Sequence, residues 1–204
     1  MPRVILIFAL AAGLGFAQQD DPCKLEFEND WVRISRVTYG PFQKSQTHAH
    51  PELPTVYVYT TDGGPMTFVH SENIAIDRGA VKAGGIRFNR GNHERHYVEN
   101  LTAIPSEYLR IELKTEPLEL PNQDIRIAPT EDRGYENAQI RIEKSVCAPD
   151  QKCGSSDLPS VIVTLTDHKA TWVQNGFPVV KNTTAQPIKV IQVGLKSPPK
   201  AKVP

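Results

Sequence analysis

The sequence predicts an all-β chain, a sandwich or barrel of short strands. Three observations carry that prediction. Apolar and polar residues alternate with a period of two in many short runs: Val32/Ile34, Val56/Val58, Leu109/Ile111/Leu113, Ile140/Ile142, Val161/Val163/Leu165 and Ile191/Val193/Leu195. Successive side chains of a strand point to opposite faces, so such runs are half-buried strands. The runs are separated by turn chemistry, "YGP", "TTDGGP", "IDRGAVKAGG", "NRGN" and "VQNG". The 17 prolines fit many short strands and disfavour helices, because proline lacks the N–H that a helix needs.

The chain opens with Arg3, the apolar run "VILIFALAAGLGFA" and then "QQDDP". A basic start, an apolar stretch too short to span a bilayer and a small-residue exit read as a secretory signal over 1–17, cleaved after Ala17. The expected location is secreted or periplasmic. No second run is long enough to cross a membrane. Lys+Arg and Asp+Glu balance at 23 each, a balance that calls for neither nucleic acid nor anionic lipid as a partner. Three cysteines remain. Cys147 and Cys153 can close a small loop in an oxidising compartment, and Cys23, near the new N-terminus, is the odd one. No CxxC pair supports a thiolate zinc site.

Three blocks of sequence recur in the same order. "FENDWVRISRVTYGP" (27–41) is similar to "YENAQIRIEKSVCAP" (135–149), "LPTVYVYTTD" (53–62) to "LPSVIVTLTD" (158–167), and "ENLTAIPSEYLRIELK" (99–114) to "KNTTAQPIKVIQVGLK" (181–196). We read this as a duplicated unit. The second copy is shorter between its last two blocks, and it lacks the histidines of the first: "SQTHAHPELP" becomes "CGSSDLP", and His96 becomes Pro178. Asn100 and Asn182, each in an Asn-x-Thr triplet, hold matching places in the two copies, which assigns them to a structural turn. The Pro-rich segment between the copies has a short strand at Ile125–Ile127. The tail "KSPPKAKVP" is expected to be disordered.

His48 and His50 lead into the strand Val56–Tyr59. At i and i+2 they present both rings to one face, and Glu94 and His96 have the same spacing. Two such pairs on neighbouring strands can surround one cation with imidazole and carboxylate donors, a set suited to first-row divalent metals. Arg87, Arg90 and Arg95 cluster near the second pair, where a guanidinium can take an anionic substrate in bidentate fashion. Tyr57, Tyr59, Phe88 and Arg87 are the candidate pocket residues. His93 has the opposite strand parity to His96. His70 and His168 fall in no motif and are read as surface residues.

At these residues the sequence resembles the cupin superfamily. Gly40, His48, His50 and Gly63 follow its first motif, Gly91, His96 and Asn100 its second. The resemblance implies a double-stranded β-helix, or jelly-roll barrel, over 24–115. After a linker (116–134) it continues as a shortened, degenerate second repeat (135–197) and a tail (198–204). It implies one divalent transition metal, Fe, Mn, Ni or Zn, on His48, His50 and His96. The motif glutamate falls at Pro54 or Thr55, which cannot replace it, so Glu94 is the substitute ligand or general base. Cupin relatives include oxygenases, isomerases, decarboxylases, storage proteins and ligand-binding regulators. Two functions follow: a metalloprotein acting on a small molecule, with an oxygenase- or isomerase-type reaction, or a non-catalytic, metal-free binding or interaction module. A homodimer is the expected assembly.

Overall fold

Strand alternation sorts the chain into sheets with two distinct faces. The computed structural model describes residues 22–71, 74–91, 94–116, 125–131, 134–154, 157–174 and 180–200. Residues 1–17, expected to be a secretory signal, and His93 lie outside these. Among the described residues there is no helix.

The N-terminal unit comprises β1 (Cys23–Glu28), β2 (Val32–Tyr39), β3 (His48–His50), β4 (Thr55–Tyr59), β5 (Met66–His70), β6 (Ala75–Arg78), β7 (Ile86–Asn89), β8 (Glu94–Asn100), β9 (Ser106–Leu113) and β10 (Ile125–Ile127). They form a six-stranded sheet in the order β1-β2-β9-β4-β7-β10 and a four-stranded sheet in the order β3-β8-β5-β6, the two walls of a jelly roll. The C-terminal unit has β11 (Tyr135–Glu136), β12 (Ile140–Cys147), β13 (Lys152–Cys153), β14 (Ser160–Thr164), β15 (Lys169–Val173), β16 (Val180–Lys181) and β17 (Ile188–Leu195). Its sheets run β11-β12-β17-β14-β15 and β13-β16.

The alternating apolar residues build the junction between the units. Val32, Ile34, Val56, Val58, Leu109, Ile111 and Leu113 meet Ile140, Ile142, Val161, Val163, Ile191, Val193 and Leu195 in one core. Each such side chain contributes about 1.5–3 kcal/mol by leaving water. The other face of the six-stranded sheet is the barrel interior. There Val37, Tyr39 and Tyr108 pack on Met66, Phe68 and Val98 of the four-stranded sheet, with Tyr57 and Tyr59 beside them. The six-stranded sheet is therefore buried on both sides, and buried Arg87, Arg110 and Glu112 belong to its polar complement.

Matched positions in the two units make the same bonds. The Asn100 amide donates to the Gly40 and Ile104 carbonyls, both at 2.8 Å. The Asn182 amide donates to those of Cys147 and Gln186, also at 2.8 Å. Thr102 N–H and Thr184 N–H each donate back to the asparagine oxygen. A disulfide joins Cys147 to Cys153, beside Ile162, Ile188 and Val190.

The tail departs from expectation. Glu116 N–H donates to the Pro198 carbonyl and Lys200 N–H to that of Lys114. The prolines lack donors, but Pro198 accepts and Lys200 donates, so residues 198–200 lie along the end of the N-terminal unit. Residues 201–204 are outside the described ones.

Candidate functional site

β3 and β8 are antiparallel neighbours, with His48 opposite His96 and His50 opposite Glu94. His48 and His50 share a face because they are two apart, and the register brings His96 to them. Ring centroids lie 4.7 Å apart for His48–His50, 4.9 Å for His48–His96 and 5.1 Å for His50–His96. One ligand nitrogen from each lies within 4.8 Å of the others. Three nitrogens about 2.0–2.1 Å from one ion lie about 3–3.6 Å from one another, so the rings must draw together by somewhat more than one ångström to share an ion. His96 is buried, and His48 and His50 are half-buried. The Glu94 backbone occupies the register position opposite His50; its side chain lies outside the described residues.

The surroundings orient the rings. His48 Nδ1 lies 2.9 Å from the Gln46 carbonyl. Donating there leaves Nε2 as the lone pair for a ligand role, the usual outer partner of a metal histidine. His50 Nδ1 meets the Arg110 guanidinium, which also pairs with Glu112 at 3.0 Å. Guanidinium only donates, so His50 accepts in that contact and its neutral ring keeps its proton on Nε2; ligating an ion requires His50 to release Arg110. Burial pulls the Arg110 pKa down, against the opposing pull of Glu112. Glu112 stands opposite Thr55 on the neighbouring strand. A buried carboxylate thus reaches the neighbourhood where the first motif lacks its glutamate, but its charge is matched by Arg110.

The turn before β8 depends on Gly91. Its φ is +78°, and a Cβ there would meet the Leu53 carbonyl oxygen at 2.0 Å. Only glycine fits both conditions. The Asn89 side chain accepts from Gly91 N–H at 3.1 Å.

The pocket candidates separate. Tyr57 lines the histidine cavity. Tyr59 packs beside it, its ring 5.7 Å from that of Tyr108. Arg87 is buried, its guanidinium 5.1 Å from the Tyr57 ring centroid. Phe88 is corrected: it lies in the core between the units, 6.0 Å from the Tyr135 ring. Adjacent strand residues face opposite ways. Since Arg87 pairs with Tyr57 toward the barrel, Phe88 must point away. Arg90 and Arg95 are exposed.

Two histidines read as surface residues are engaged. His70 is half-buried opposite His96, with ring centroids 5.3 Å apart. His168 Nδ1 lies 3.0 Å from Glu107 Oε1. Sequence reasoning also passed over Arg110, Glu112, Tyr108 and Arg78, which lie on other strands and carry no motif. Burial and the neighbouring tyrosines push the Tyr108 phenol well above its ordinary range. It therefore stays protonated as a donor. The cavity enclosed by the three histidines, Tyr57, Phe68, Arg78 and Tyr108 measures about 20 Å³, room for a water molecule.

No protein-family model and no curated protein matches this chain. Solved structures do. AerE from Microcystis aeruginosa matches with TM-score 0.56 and 10% identity, over 86% of this chain and 97% of its own. The bacterial pirin YhhW from Escherichia coli, in complex with nickel(II), matches with TM-score 0.53 and 11% identity, over 84% and 90%. YhaK from Escherichia coli matches with TM-score 0.53 and 13% identity, over 84% and 90%. At these identities the likeness speaks for the fold. The chain shares the jelly-roll fold of these structures, the fold that the cupin resemblance implied, and its three histidines converge at one point within it.

Proposed function

We propose that this chain is an exported cupin holding one divalent transition ion, Fe, Mn, Ni or Zn, on His48, His50 and His96. The convergence of three imidazole nitrogens within 4.8 Å carries this reading. The nickel(II) bound by the pirin of the same fold supports it, as does the donor set. The disulfide supports an oxidising compartment. The matched Asn100 and Asn182 turns support reading the C-terminal unit as a degenerate copy that serves as scaffold. A bound ion supplies Lewis acidity toward a small oxygen-bearing substrate. The chain's own residues hold the rings, through Gln46, and close the cavity, through Phe68 and Tyr108.

The test is metal content. Protein loaded with nickel(II) or zinc and then desalted should retain close to one ion per chain, falling below about one tenth in His96→Ala. A wild type that holds no ion defeats the proposal. The second reading, a metal-free binding module, rests on Arg110: its contacts with His50 and Glu112 satisfy these groups without an ion.

A further inference from the structure

A row of side chains crosses the six-stranded sheet on its barrel face. Arg110 is opposite Tyr57, Tyr57 opposite Arg87, and Arg87 opposite Arg126. The row starts at the guanidinium that touches His50 and ends in a second cavity. That cavity measures about 370 Å³ and is bounded by Tyr59, Arg78, Lys82, Arg87, Arg126 and Glu131. Its size falls within the range of small-molecule pockets, about 300–1,000 Å³, whereas the histidine cavity has room for little more than one water molecule.

The charge of this cleft is one-sided. Four cations face one carboxylate. Glu131 is itself engaged, accepting from Ala128 N–H at 3.2 Å, and Lys82 pairs with Asp62 at 2.6 Å. Arg87 and Arg126 are directly opposite on neighbouring strands, an arrangement that costs stability for like charges. Arg78 adds a third guanidinium. It lies 3.7 Å from the Phe68 ring centroid, and Phe68 in turn meets the His96 ring edge-on at 5.5 Å. Arg78 lines both cavities. Burial and the charge of Arg87 both lower its pKa. Among the described residues no carboxylate pairs with Arg78 or Arg126.

We propose that this cleft binds a small polyanion bearing carboxylate or phosphate groups, with Arg87 and Arg126 clamping it and Arg78 standing between it and the histidines. Guanidiniums suit this role because their planar donors match both oxyanions in bidentate fashion. The binding stands on the cleft's own residues; the further step, that this polyanion is the substrate of the metal centre, rests on the proposed function.

The test is calorimetric titration of the full chain, freed of metal with a chelator that is then dialysed away, with citrate, inorganic pyrophosphate and neutral erythritol. One or both anions should bind, erythritol should not, and affinity should fall as salt rises. Stronger binding of citrate than of pyrophosphate identifies a carboxylate ligand, and the reverse order a phosphate one. Arg87→Met should weaken binding at least tenfold. Arg126→Gln, at an exposed position that does not threaten folding, should weaken it several-fold. Both should keep the wild-type metal content. If neither anion binds, or if Arg126→Gln and a folded Arg87→Met bind like wild type, the cleft assignment is overturned. A wild type that holds no metal yet binds anion supports the cleft and removes only the metal reading. Metal without anion binding removes the cleft alone.

Discussion

His48 and His96 stand directly opposite each other on β3 and β8, their ring centroids 4.9 Å apart. β3 is three residues long and forms one edge of its sheet, paired to β8 alone. An ion shared by the two rings cross-links this short edge to the barrel wall. Nickel(II) at 100 times its dissociation constant should add about 2.7 kcal/mol. That corresponds to a rise of roughly 5–10 °C in the melting temperature of a chain this size. Scanning calorimetry should show the rise in wild type and His70→Ala, because His70 lies outside the ligand cluster. His48→Ala should lose it. An equal rise in His48→Ala would place the ion elsewhere.

Metal affinity should depend on pH through the imidazoles. They bind an ion only when neutral, so protons compete for the same nitrogens. As pH falls, the dissociation constant should rise by up to about tenfold per pH unit for each proton displaced. Competition with a chromophoric chelator between about pH 5.5 and 7.5 measures this. A flat profile would exclude histidine ligation.

The strands and the histidine triad were legible for different reasons. A half-buried sheet writes its burial into period-two alternation, and His48, His50 and His96 keep a spacing that strand geometry converts into a shared face. Alternation separates two faces without saying which lines a cavity. Leu109, Ile111 and Leu113 face the second unit, which leaves Tyr108, Arg110 and Glu112 inside the barrel. Phe88 was misplaced because it was grouped with Arg87, its neighbour of opposite parity. Arg110 reaches His50 from 60 residues away in sequence, and His70 reaches His96 through register alone. Neither leaves a local signal.

Phe88 gives the sharpest contrast between scaffold and site. It is 2% exposed in the core between the units, so Phe88→Ala should cost about 3–5 kcal/mol by cavity formation. Chemical denaturation reads that loss, and metal content should stay unchanged. Metal loss in the folded variant would show that the two faces of β7 are coupled.

The disulfide should stabilise the C-terminal unit. Cys147 and Cys153 close a loop with a sequence separation of 6, for which loop-closure entropy gives about 2 kcal/mol. Cys153→Ser should lower the denaturation midpoint accordingly, and mild reductant should reproduce the effect in wild type only. Equal sensitivity of the variant to reductant would point away from this bond.

Glu107 should set an acid limit on stability. It accepts from Thr60 Oγ1 and Arg36 Nη1, each at 2.8 Å, and lies 3.0 Å from His168 Nδ1. Arg36 also donates to the His168 carbonyl at 2.6 Å, so the cluster ties the N-terminal barrel to the β14–β15 turn of the other unit. Burial pulls the Glu107 pKa upward, but Thr60, Arg36 and His168 outweigh it and hold the carboxyl below its ordinary 4.5. A carboxyl whose folded pKa is depressed binds fewer protons in the native state. Its contribution is complete above 4.5 and disappears as pH falls through the lower, folded value. Urea midpoints of wild type and Glu107→Gln should therefore differ at about pH 6, and the gap should narrow as pH falls below 4.5. A gap that persists undiminished in acid would assign Glu107 a packing role instead of a charged one.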